Sequence, residues 1–194
     1  LNISDPSRGG FNANIGIETV KQLHVVSSRY LVEYGPGGGG VVNIESKFGE
    51  DHFRWNVTNF FPSLEFSRGL LINGWAPKIN FSGPLTKNVR CFNGANTDYN
   101  KNIFSDQEPT HSWDLSNLSG CQITISDRNL LTAGALLNYF SAPLSGLSPI
   151  DPPETTKDIA EVKKFFYFKD QASFSINNDN FKGDGLVEVG YGRY

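Results

Sequence analysis

The feature that most constrains this chain is the alternation of apolar and polar residues between Arg29 and Phe61. Tyr30, Val32 and Tyr34 share one parity, with Arg29, Leu31 and Glu33 on the other. Beyond Gly35-Pro36-Gly37-Gly38-Gly39-Gly40 a second run sets Val42, Ile44 and Phe48 against Asn43, Glu45 and Lys47. Beyond Gly49-Glu50-Asp51 a third sets Phe53, Trp55 and Val57 against His52, Arg54, Asn56 and Thr58. A period of two sends successive side chains to opposite faces of a sheet, so this stretch predicts a half-buried antiparallel meander. Shorter runs of the same kind, separated by Gly, Pro and Asn, extend the expectation to the whole chain. They predict an all-β fold: one antiparallel sandwich or barrel-like domain over residues 1–194, with one or two short helices.

Composition narrows the functional classes. The chain is 38% hydrophobic, with 15 Phe, 7 Tyr and 3 Trp, and only 19% charged, which argues against disorder. A net charge of −3 lacks the basic excess of a protein that holds a nucleic-acid backbone, so no nucleic acid is expected as a partner. No apolar run reaches the roughly 18–20 residues that a membrane helix needs, and no membrane insertion is expected on that basis. Met is absent and Leu1 heads the numbering, which removal of a leader or trimming of the chain would explain.

Cys91 and Cys121 are the only cysteines, and each stands at the core-facing parity of a strand-like run. They are expected to lie close together. As a disulfide they would close a loop of about 30 residues and stabilise the fold by roughly 3–4 kcal/mol on a loop-entropy argument. The alternative is two buried thiols acting as small hydrophobes.

Around these marks the chain divides into an extended arm over 1–12, a long polar loop over 93–120 and a Pro-rich connection over 141–155. Asn73-Gly74 predicts a hairpin turn, since both residues tolerate positive φ. Asn177-Asn178-Asp179-Asn180 predicts another turn, ahead of a strand through Val187, Val189 and Tyr191. Two places read as helix. Leu130, Ala133 and Leu137 share a helical face behind Asp127, and Thr155-Thr156-Lys157-Asp158 resembles a capping box ahead of Ile159 and Val162.

Catalytic motifs are missing. His24, His52 and His111 have no nucleophile elbow to serve, and no catalytic residue is assigned. Of the enzyme classes a jelly-roll glycosidase fits best, because it needs only two carboxylates across a cleft. The Gly35–Gly40 run lacks the Lys-Ser/Thr of a phosphate loop. Asp98-x-Asn100-x-Asn102 begins like a calcium loop, but Ile103 stands where its glycine belongs. No cofactor and no metal are assigned.

Two surfaces remain as candidates. Gly37, Gly38 and Gly39 would form a loop that lets a neighbouring backbone approach, suiting assembly. Tyr99, Asn100, Trp113 and Asp114 would combine stacking faces with hydrogen-bonding groups, suiting a glycan. The composition is similar to that of secreted β-sandwich adhesins and of β-rich subunits of viral shells, tubes and fibres, with no motif specific to any family. The expected function is a non-enzymatic structural subunit of a virion shell, tail tube or surface filament. It would be extracellular or virion-borne and would contact copies of itself or other subunits. The alternative is a secreted carbohydrate-binding adhesin or lectin domain.

Overall fold

The computed structural model describes residues 14–26, 41–47, 51–66, 70–102, 109–145, 152, 154, 156–178 and 181–193. Among them the chain is antiparallel β throughout, with a single 3-10 turn at Ile17–Thr19. The strands are β1 (Val20–Val26), β2 (Val41–Ser46), β3 (Arg54–Thr58), β4 (Ser63–Glu65) and β5 (Leu71–Trp75). After them come β6 (Lys78–Thr86), β7 (Val89–Asn102), β8 (Thr110–Ser126), β9 (Asn129–Ser145), β10 (Lys157–Asn178) and β11 (Phe181–Arg193). β1 and β2 pair as a small sheet of their own. The other nine make one open sheet in the order β11-β10-β9-β8-β7-β5-β4, with β6 also on β7 and β3 on β6. The all-β expectation stands, and the sheet does not close on itself.

Both helices are replaced by strands. Residues 129–145 and 157–178 are β9 and β10. The apolar residues of 130–140 occupy both parities, Leu130, Leu136 and Phe140 on one and Leu131, Leu137 and Tyr139 on the other. A run apolar on both sides has no decisive period, and pairing with both neighbours selects the strand. Asp158, read as a helix cap, accepts a hydrogen bond from the backbone N–H of Leu144 at 3.0 Å, where φ is +51°. It ties together the connection between β9 and β10.

The polar stretch 93–120 is also mostly strand. β7 runs on to Asn102 and β8 starts at Thr110, so the expected loop shrinks to the link between them. Asn and Asp are poor strand formers, but here each backbone has a ladder partner across an unbroken register from Val89↔Ile123 to Asn102↔Thr110. Asn73-Gly74 lies inside β5, paired to β4 and β7, and makes no turn. The meander is corrected as well: β2 pairs with β1, and β3 pairs with β6. Its first run, the 35–40 glycine loop with Gly37, Gly38 and Gly39, and the 1–12 arm lie outside the described residues, as do 146–151 of the Pro-rich connection. Pro143 to Ser145 belong to β9.

The core is one layer thick. Leu118, Leu136 and Phe165 stand in register on β8, β9 and β10, and Phe92 joins them from β7. Leu136 is only 2% exposed. Ile15, Ile44 and Tyr167 pack onto this cluster. The next row reads Phe92-Gly120-Gly134-Tyr167 across the same strands. The two aromatic rings lean inward over the two glycines from either side. A Cβ on Gly120 would stand 2.7 Å from the Phe92 ring and 2.9 Å from the Tyr167 hydroxyl, and one on Gly134 would collide with the Tyr167 ring.

Gly134→Ala is therefore expected to lower stability by about 1–3 kcal/mol in chemical denaturation, the usual cost of overpacking. Combining it with Tyr167→Ala should be less damaging than the sum of the two, because the first loss comes from the ring that the second removes.

Candidate functional site

Register and alternation sort every side chain of the large sheet onto one of two faces. The inner face carries the core row and is covered by the N-terminal segment. Asn14 is the centre of that contact: its backbone carbonyl accepts from the Ser116 hydroxyl at 2.6 Å and from the Asn138 amide at 2.8 Å, and its own amide donates to Asp114 at 3.2 Å. Thr19 fills the space above Gly94, where a Cβ would strike its methyl group. Lys78 pairs with Glu18 at 3.1 Å, and the Tyr167 hydroxyl hydrogen-bonds to Ser46. The N-terminal segment is thus held on the inner face by polar groups around a small apolar contact.

The outer face has no such cover among the described residues. Trp55, Phe81 and Phe166 lie in one cross-strand row, with Asn93, Ser119 and Ala135 between them. Ile79 and Leu137 stand in the next row, and Tyr139 and Val162 in the one after. Phe168, Val189 and Tyr191 continue the surface towards β11. All are exposed, Trp55 by 72%. Meanwhile Arg54, Lys78, Arg90, Asp98, Asp114, Glu161, Lys163 and Lys169 share the inner parity. Polar side chains also interrupt the outer surface, among them Asn93, Thr97, Asn117, Ser119, Lys164 and Asp170. Asn93 and Asn117 satisfy each other by a hydrogen bond of 3.3 Å, and Lys164 stands among the apolar side chains on a long stem that can carry its charge away from them.

The four residues singled out as a glycan site are near one another in register but divided between the faces. Tyr99 and Trp113 are direct cross-strand partners on the outer face, with ring centroids 4.6 Å apart. Tyr99 also stacks on His111 and shares a 2.6 Å hydrogen bond between its hydroxyl and Nδ1. Asp114 and Asn100 point inward, where Asn100 donates to Asp98 at 2.8 Å and Asp114 receives Asn14. The two carboxylates of Asp98 and Asp114 are directly opposed, each served by an amide. Among the described residues no group of three or more His, Cys, Asp or Glu side chains is placed to hold a metal ion.

Trp75 extends the aromatic pair. It is the partner of Tyr99 on β5, so Trp75, Tyr99 and Trp113 form a row across β5, β7 and β8, and the Trp75 indole donates to the Phe60 carbonyl at 2.8 Å. Just beyond the row, on the same face, Lys101 pairs with Glu65 at 3.3 Å with its side chain only 7% exposed. At the opposite end Cys91 and Cys121 are cross-strand partners joined in a disulfide, with Cα atoms 4.1 Å apart, as the expectation of closeness has it, but they stand at the outer parity of Tyr99 and Trp113 and not at the core-facing parity of Phe92 and Leu118.

The outer surface was only partly visible in the sequence. Alternation with polar residues points Trp55 at a core, and the structure places it on the side that no described residue covers. In Phe165-Phe166-Tyr167-Phe168 the unbroken apolar run hid the division into two inward and two outward rings. Comparison with known protein families, with curated proteins and with solved structures found no match.

Replacing both cysteines by Ala is expected to cost about 3–4 kcal/mol in denaturant unfolding. The bond itself is read by mass spectrometry of unreduced peptides. In a double-mutant cycle, Tyr99 and Trp113 should show a coupling of about 0.5–1.5 kcal/mol.

Proposed function

We propose that this chain contributes to the wall of a membrane-spanning β-barrel, with the outer face against lipid and the N-terminal segment inside the lumen. The observation that carries this reading is the uncovered apolar face. Water-exposed apolar surface on this scale, running from β3 to β11, marks a surface with an apolar partner. A barrel wall carries apolar residues outward and polar ones inward at period two, which is the division seen here.

Three further observations support it. The links at one end of the sheet are tight, Lys87-Asn88 between β6 and β7 and Asp127-Arg128 between β8 and β9, while those at the other end span 103–109 and 146–156. Barrel walls show the same imbalance between short turns and long loops. The disulfide suits an oxidising compartment. The polar inner face, with its Asn, Asp and Ser side chains, suits a water-filled interior.

Among the described residues no helix is long and apolar enough to cross a membrane, a criterion that strands do not meet or fail. The expectation of no insertion rested on helix-length runs alone. In a bilayer, open sheet edges leave backbone groups without partners, so on this reading the edges at β3, β4 and β11 take further strands to close the wall. A plugged barrel admits polar solutes only when its plug yields, and gated passage of a polar solute is the function we assign.

Self-assembly is the second reading, favoured by the free edge of β11 and by the same apolar face, which another copy could cover. One experiment separates the two. Refolded in the presence of phospholipid vesicles, the chain is expected to float with the lipid on a density gradient and to resist extraction at alkaline pH. A folded chain that stays in the aqueous fraction as a discrete oligomer would overturn the membrane reading in favour of assembly. For the lumen, Glu18→Lys sets two like charges together at Lys78 and should raise conductance across planar bilayers. Unchanged conductance in a folded, inserted protein would remove the N-terminal segment from the passage.

A further inference from the structure

We infer that the row Trp75-Tyr99-Trp113 sits at one membrane–water boundary, where it contacts lipid headgroups, and that the Val89-Ile123-Leu131-Asp170-Val189 row marks the other. This rests on the membrane reading above and adds to it a depth for each row.

The outer face changes character along the strands, with Lys164, one row from Trp55, as the charged exception inside the apolar band. Towards the tight-turn end the Asp170 row sets a carboxylate among four apolar side chains, with Ala172, Val187 and Phe174 beyond it. One Asp170 carboxylate oxygen is shut off from solvent and has no hydrogen-bond partner, as fits a group at the rim of an apolar band. The band follows, with Trp55, Phe81 and Phe166 near its middle. Then comes the aromatic row, and next to it the Lys101–Glu65 pair with His111 opposite Lys101. Apolar, then amphipathic aromatic, then charged is the order that a side chain meets on leaving hydrocarbon for headgroups and water.

The spacing agrees. From Val89 to Tyr99 is ten residues of β7, about 33 Å of strand. At the tilt of 35–45° usual in membrane barrels this is about 24–27 Å of depth, against an apolar band about 25 Å tall. A second copy laid over the face would give no reason for rows to be ordered by polarity, nor for their separation to match this thickness. Trp55 is level with Asn93, six residues from Tyr99 along β7, so it lies about 14–16 Å deeper than Trp113.

The three tryptophans make this measurable. Two single-tryptophan chains, one keeping Trp113 (Trp55→Phe, Trp75→Phe) and one keeping Trp55 (Trp75→Phe, Trp113→Phe), are refolded into vesicles whose lipids carry bromine at a shallow or a deep acyl position. Trp113 should lose more emission to shallow bromine, and Trp55 to deep bromine with its emission further to the blue. Equal depth for the two, or a deeper Trp113, would overturn the inference while leaving insertion intact. Quenching of neither residue in a folded, disulfide-bonded chain would instead overturn the membrane reading itself. The unsubstituted chain gives an independent measurement that needs no variant to fold. Lipids with a diazirine near the headgroup should label the peptide containing Trp113, and those with a diazirine at the chain end should label the peptide containing Trp55. The reverse pattern would overturn the assignment.

Discussion

The register between β7 and β8 is the constraint from which the rest of the sheet takes its order, because β7 is the strand on which both halves meet. It carries β8 along its whole length on one edge, and β6 and β5 end to end on the other. A slip of one residue would set the two strands' faces against each other, turning either Phe92 or Leu118 away from the core and parting Tyr99 from Trp113. The Cys91–Cys121 bond joins residues that are already opposite one another, so it holds the register that the core requires. Covalent geometry and apolar burial specify the same pairing. β9, β10 and β11 then follow in antiparallel order, each on the edge of the strand before it.

Once the register is set, each face is stabilised differently. The inner face buries a single row of large apolar side chains, and glycines at 94, 120 and 134 let other groups lie close over the sheet. The outer face has no covering layer among the described residues, and its aromatic side chains contact one another within the surface, as Tyr99 does Trp113 and Phe53 does Phe81. A water-soluble sandwich would place its core between two such faces, packed about 10 Å apart. Among the described residues this sheet has a partner on its more polar side and none on its apolar side. That inversion is the physical basis for reading the outer face as a contact with lipid.

Several elements could be read from the residues alone, and the reasons others could not are specific. β3 and β6 alternate cleanly because one of their faces is apolar and the other polar, so period two is the only period present. β9 could not be read, since Leu130, Leu131, Leu136 and Leu137 supply both parities and equally supply a helical stripe. The ends of β7 and β8 could not be read either. Asn96 to Asn102 resembles a loop by composition, and only the two flanking ladders make it a strand. Tyr99 and Trp113 were found as a pair because both are large aromatics in a polar context. That Asn100 and Asp114 turn away from them follows from the strand state, which the loop reading excluded.

What the sequence by itself determined is the class of fold, because period-two alternation can only be satisfied by strands, and the nearness of its two cysteines, whose side chains nonetheless stand at the outer parity and not at the core-facing one. Which strands pair, and which face is covered, were decided by tertiary structure alone. Alternation records that a residue has two sides to choose between, and it carries no label for which side meets a second layer. That choice is made by groups distant in sequence, Asn14 against Ser116 and Asn138, Glu18 against Lys78, and Ser46 against Tyr167. These contacts bring the N-terminal segment to the inner face and leave the outer face, with Trp55 and Phe166, to meet whatever surrounds the protein.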